Sequence, residues 1–428
     1  MDYNLYQPEE EKPSRMPIDI PFRLASIIIF VLSVGTAWYV ISETGDVKRE
    51  IDQIEPVQVT VVNPPSQEEE VEVVEEEKEE WRFIPGPISM DLVKKNGCVA
   101  DGFLSGYGGK EKETIAMINR SDCVYLHRAL ETWLGAPKFE EALEIMEKVE
   151  KNPIVYGMFI AEAISTRKKY KDPISDKTFR FEDMCREGTA DRWGKETCIP
   201  SIQNVEYRRY LKAITRRAMD LGIQSFLFGQ IQLQDSVCSY ADGNMKKVLD
   251  DMREYSKERN MEIIIGAQTD DITEEKYLRM FDYIEGGVGI NSQGIVENQP
   301  CSSKFGSCWA LLWDKRYSSK ANNVLLHLDW SGLTWDDMGI FARMPQERRI
   351  STLENLYKKF TSQNMGFMMP FLAVLSSKND GCYGPNKNFY SPSNKYKCED
   401  EDHINRIMPD VTAVVGSNQA HISPSKNN

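Results

Sequence analysis

Asn322-Asn323-Val324-Leu325-Leu326-His327-Leu328-Asp329-Trp330-Ser331-Gly332 is an apolar run closed by a turn signal. Such a run reads as a strand buried on both faces, the kind found in parallel sheets beneath helices. With a period of two, Leu325, His327 and Asp329 share one face while Leu326, Leu328 and Trp330 share the other. A carboxylate therefore emerges at the C-terminal tip with an aromatic beside it. On its own, Asp329 reads as a cap for the next loop; its weight comes from other strands that end the same way.

Working outward, similar runs recur at about 99–104, 124–127, 154–162, 224–232, 262–268, 282–288 and 366–372. Helical periodicity fills the intervals at 139–151, 205–221, 245–259, 273–281 and 346–363. The second strand is ambiguous, since YLHRALETWL also suits a helix. Eight βα repeats predict a parallel sheet with right-handed crossovers, closed most economically as a (β/α)8 barrel. An open doubly wound sheet is the alternative, but no G-x-G-x-x-G follows the first strand.

The 428 residues exceed one average domain, and a barrel with tails accounts for them. The formal net charge of -14 is concentrated near the N-terminus. Residues 43–80 carry 14 acidic and 3 basic side chains, and residues 1–42 carry 5 and 3, which leaves 47 acidic and 46 basic from residue 81 on. A nearly neutral main domain behind an acidic tract argues against nucleic acid as a partner.

The span LASIIIFVLSVGTAWYVI begins at Leu24, ends at Ile41 and contains no charge. Its 18 residues suit a bilayer core roughly 30 Å thick, with Trp38 and Tyr39 at an interface, and they exceed a signal-peptide core. The expected organisation is a disordered cytoplasmic tail (1–21), a signal-anchor helix (22–42), an extended acidic linker (43–80), a barrel domain (81–410) and a disordered tail (411–428). All nine cysteines follow the apolar span. Cys185 with Cys198, Cys301 with Cys308 and Cys382 with Cys398 are the plausible disulfides, which puts the domain in an oxidising, extracytoplasmic compartment. With no C-x-x-C and only four His, neither a metal nor another cofactor is expected.

Polar groups gather at the strand exits: Glu162; Gln230, Gln232 and Asp235; Gln268 and Asp270; Glu285; His327 and Asp329. Carboxylates and amides bond sugar hydroxyls, and Tyr283, Trp330, Trp335 and Phe228 would offer flat faces to sugar rings. A polysaccharide is the expected partner. Glycoside hydrolysis needs two carboxyls flanking the bond, and Glu162, Asp235, Glu285 and Asp329 are the candidates.

The segments HRALETWLGAPKFEEALEIM, YRRYLKAITRRAMDLGIQSFLFGQIQLQD, FDYIEGGVGI and LLHLDWSG, in this order, resemble the layout of (β/α)8 retaining glycoside hydrolases of the β-mannanase type. The resemblance implies an acid/base Glu at the end of the fourth strand and a nucleophilic Glu at the end of the seventh. Here those places hold Gln230 or Gln232 and Asp329. Gln transfers no proton, so either Asp235 or Glu162 takes that role, or the barrel binds glycans without cutting them. A structural envelope protein using the barrel as a scaffold is the third reading.

Overall fold

The computed structural model describes residues 85–297, 310–328, 337–375, 381–384 and 387–411. Eight strands run parallel: β1 (Gly97–Ala100), β2 (Tyr125–Glu131), β3 (Val155–Ile160), β4 (Ser225–Phe228), β5 (Ile264–Gln268), β6 (Tyr283–Val288), β7 (Val324–Leu328) and β8, in two segments (Gly366–Phe367 and Met369–Val374). The two halves of β8 pair with different neighbours. Gly366–Phe367 lies beside β7 and Met369–Val374 beside β1, so the sheet closes on itself. An open sheet is thereby excluded.

Val99, Tyr125, Val155, Phe159, Leu227, Ile264, Tyr283 and Leu325, with Met368 between the two halves of β8, belong to one inner apolar cluster around the barrel axis. Their strand neighbours Cys98, Leu126, Phe226, Ile265, Ile284 and Leu326 face the outer helices. Leu325 thus points inward while Leu326 and Leu328 point outward, the alternation read in the opening stretch. A short helix, α1 (Met90–Lys95), precedes β1 and contributes Val93 to the inner cluster, with Met90 packed against it.

Helices between and after the strands include α2 (Glu111–Asn119), α3 (Phe139–Met146), α4 (Val205–Asp220), α5 (Asn244–Glu258), α6 (Glu275–Leu278), α7 (Lys315–Ser318), α8 (Gln346–Thr361) and, after β8, α9 (Glu401–Ile407). In α4, Tyr207, Leu211, Ile214 and Ala218 recur at helical spacing on the buried face. The Asn204 side chain caps its first turn by accepting from the Glu206 amide at 2.8 Å.

Some boundaries differ from the sequence expectation. β1 ends at Ala100 because Gly102 takes a left-handed conformation and starts a tight turn at Phe103–Ser105. β4 stops at Phe228 because Gln230, at φ 28°, turns the chain into a helical turn, Ile231–Gln234. The ambiguous second segment is a strand, and it runs on to Glu131.

Cys185–Cys198 and Cys382–Cys398 are bonded as expected, and Cys98–Cys123 adds an unforeseen bridge between β1 and the start of β2. Cys238 is free. Among the described residues no helix is long and apolar enough to cross a membrane. The expected span at 24–41, the linker, Asp329, Trp330, Trp335 and the Cys301, Cys308 pair lie outside the described residues.

Candidate functional site

The barrel interior is polar along part of its axis. Tyr125, Ser225 and Tyr283 stand at the beginnings of their strands, and their hydroxyls lie 3.1–3.3 Å from one another. Two residues past Tyr125, Tyr283 and Leu325 come His127, Glu285 and His327, on the same inward faces because the strand period is two. The Tyr125 hydroxyl meets His127 Nδ1 at 2.8 Å. His127 Nε2 faces Glu285 Oε1 at 3.4 Å, and His327 Nε2 contacts the same oxygen. His327 Nδ1 bonds the Leu328 carbonyl at 2.5 Å, and that acceptor requires a proton on Nδ1.

All three side chains are buried. Burial alone would raise the Glu285 carboxyl, but His327 and His127 beside it hold it well below the usual carboxylate range. Burial lowers His127, with Glu285 opposing. These three form the one group among the described residues able to hold a metal ion, with one donor atom from each within 4.8 Å of the others.

Beside them β2 carries a bulge. Arg128 adopts φ 56° and the register shifts between Leu126 and Leu130. Its buried guanidinium lies 3.4 Å from Asp101, 3.2 Å from Glu131 and 4.1 Å above the Phe159 ring. Burial pushes Glu131 up to about 7, against the pull of Arg128. A cavity of about 10 Å³ lies between Asp101, Arg128, His327 and Met368, room for roughly one water.

At the C-terminal rim Glu162, Gln230 and Gln268 do come together. Gln230 Nε2 donates to Glu162 Oε1 at 2.6 Å, and its backbone amide donates to Gln268 Oε1 at 3.0 Å. Burial raises the Glu162 carboxyl, and its Oε2 has no hydrogen-bond partner among the described residues. Gln232 reaches Asp270 at 3.4 Å, and burial lifts Asp270 to about 6. Asp235 stands apart: it accepts from Gln203 at 2.9 Å, Tyr277 at 2.8 Å and the Val237 amide at 3.2 Å, and so ties loops together. Glu285 sits inside the barrel, three residues before its strand ends.

Two expected sugar platforms are corrected by burial. Tyr283 is the first residue of β6 and lies in the inner cluster, and Phe228 faces the helices. The exposed aromatics are elsewhere. Trp133, just past β2, is 37% exposed and meets Trp193 from the loop after β3 edge-on, with ring centroids 6.1 Å apart. Sequence reading missed this pair, which is 60 residues apart, along with His127, Arg128 and Glu131. An alternating inward His in YLHRALE, two residues after Tyr125, was the available signal.

No protein-family model and no curated protein sequence matches the chain. Solved structures are similar to it in part. A GH27 β-L-arabinopyranosidase from Geobacillus stearothermophilus has 10% identity over 65% of this chain and 72% of its own, with a TM-score of 0.39. An α-galactosidase from Thermus thermophilus has 11% identity over 73% and 68%, also at 0.39. A cyclic α-maltosyl-(1→6)-maltose hydrolase from Arthrobacter globiformis has 10% identity over 73% and 76%, again at 0.39. These are glycoside hydrolases, and none of the three is a β-mannanase. At such identity and superposition the likeness assigns no substrate and no catalytic residue.

Proposed function

We propose that the chain is a membrane-anchored, extracytoplasmic barrel that binds a polysaccharide at its C-terminal rim. The observation that carries this reading is the exposed Trp133 edge against Trp193, set on the loops that follow β2 and β3. Aromatic faces hold the apolar side of a sugar ring, while carboxyls and amides such as Glu162, Gln230 and Gln268 bond its hydroxyls. Affinity electrophoresis through gels containing soluble envelope polysaccharides tests it. The wild-type chain should be retarded by at least one of them, and Trp133→Ala should lose retardation at an unchanged melting temperature. Equal migration of both proteins in every gel would sink the reading.

Hydrolysis is the second reading, favoured by the raised, partly unpartnered carboxyl of Glu162, which suits a general acid. Asp329 is then the nucleophile, in keeping with the β-mannanase type. Asp329→Asn and Glu162→Gln should each abolish release of reducing ends while leaving retardation intact. For the anchor, residues 24–41 cross the membrane with residues 1–21 in the cytoplasm, and the three disulfides among the described residues suit an oxidising side for the barrel. Protease added to intact cells should digest the large domain; its survival would reverse the orientation.

A further inference from the structure

We infer that His127, Glu285 and His327 bind a divalent transition-metal ion, zinc by donor type, inside the barrel. Two imidazoles and one carboxylate on β2, β6 and β7 are a ligand set that suits such ions. The protons point to the same conclusion. The Leu328 carbonyl fixes a proton on Nδ1 of His327, and the Tyr125 hydroxyl occupies Nδ1 of His127. The Nε2 atoms of both rings are thereby turned on one carboxylate oxygen, the arrangement by which partners on Nδ1 orient metal-binding histidines.

Charge supplies a second observation: the Arg128 guanidinium is engaged by Asp101 and Glu131, whereas the fully buried Glu285 carboxylate has the two imidazoles beside it. Glu285 Oε2 has no hydrogen-bond partner among the described residues, so the carboxylate has an oxygen to spare. Because the triad is fully buried, the ion enters as the chain folds, and affinity and folding are linked.

The test uses the full chain, unfolded in guanidinium with a chelator and refolded with or without zinc chloride or cobalt chloride. Elemental analysis after desalting should find roughly one zinc per chain, and the zinc-refolded protein should melt higher than the chelated one. Cobalt should give visible absorption bands. Tyr125→Phe, which keeps the ligands and removes the hydroxyl on Nδ1, should weaken zinc binding by about 10–100-fold. His403→Ala, at a half-buried position on α9 outside the triad, should bind as the wild type does. A wild-type chain that refolds with no metal and shows neither a melting shift nor cobalt bands would overturn the inference, and the triad would then be an imidazolium–carboxylate pair. Should Tyr125→Phe fail to fold, the wild-type metal count and cobalt spectrum decide alone.

Discussion

Arg128 is the residue whose loss should be felt most. Its guanidinium, flanked by Asp101 and Glu131 and seated on Phe159, offsets buried carboxyls. Removing one partner of a buried ion pair typically costs about 3–5 kcal/mol, because the remaining charge is left uncompensated. Arg128→Met should therefore shift the urea midpoint far down. Arg128→Lys should recover little, since an ammonium cannot span both carboxyls as the planar fork does. Full rescue by lysine would reduce the role of Arg128 to point charge. Glu131 makes a pH prediction. Its folded value of about 7 lies above the ordinary 4.5, so the folded state holds the proton more tightly. The stability this group contributes is complete below about pH 4.5 and is lost as pH rises through 7. The difference in unfolding free energy between wild type and Glu131→Gln should fall across that window, and a flat difference curve would refute the shift. Neither residue was legible in YLHRALE, because a left-handed bulge leaves no mark on a period-two pattern.

At the scale of elements, the strand exits were readable and their convergence was only partly so. The Glu162, Gln230 and Gln268 contacts follow from successive parallel strands ending in polar residues. Asp235, only seven residues past β4, instead lies beyond a helical turn that begins at Gln230. Gly229 explains how Glu162 and Gln230 fit. A β-carbon there would run into the Phe159 ring and Glu162. Gly229→Ala should cost about 1–3 kcal/mol by overpacking and disturb the Glu162 carboxyl. A variant as stable as wild type would mean that the β4 exit yields freely. The cysteines divide in the same way. Cys185 and Cys198, 13 apart, could be paired by eye, whereas Cys98 and Cys123 meet only because β1 and β2 are adjacent. Peptide mapping without reductant should recover both bridges. Cys238 should alkylate slowly in the native protein, because burial pushes its thiol up to about 12.

For the whole molecule, eight strands and their closure were read from the sequence, but the device that closes the sheet, β8 changing partner between Phe367 and Met369, was not. Closure also leaves the N-terminal end of the barrel needing a cover, and the segment before β1 provides one. Gln224 Nε2 donates to the Gly86 carbonyl at 2.9 Å, and the Ile88 amide donates to Glu262 at 2.9 Å. Val93 is 1% exposed, with Ile88 and Met90 packed against the same inner cluster. A chain beginning at residue 81 should therefore match the full chain in its urea midpoint, since it retains the barrel and its cover. One beginning at residue 97 loses Val93 outright and the partial burial of its two neighbours. At roughly 1.5–3 kcal/mol per fully buried aliphatic side chain, that loss should exceed about 2 kcal/mol. It should also leave Tyr125 and Tyr283, at the starts of their strands, closer to water, which near-ultraviolet circular dichroism would register. Equal midpoints for chains beginning at 81 and at 97 would mean that the inner cluster is sealed by the strands alone and that α1 is dispensable.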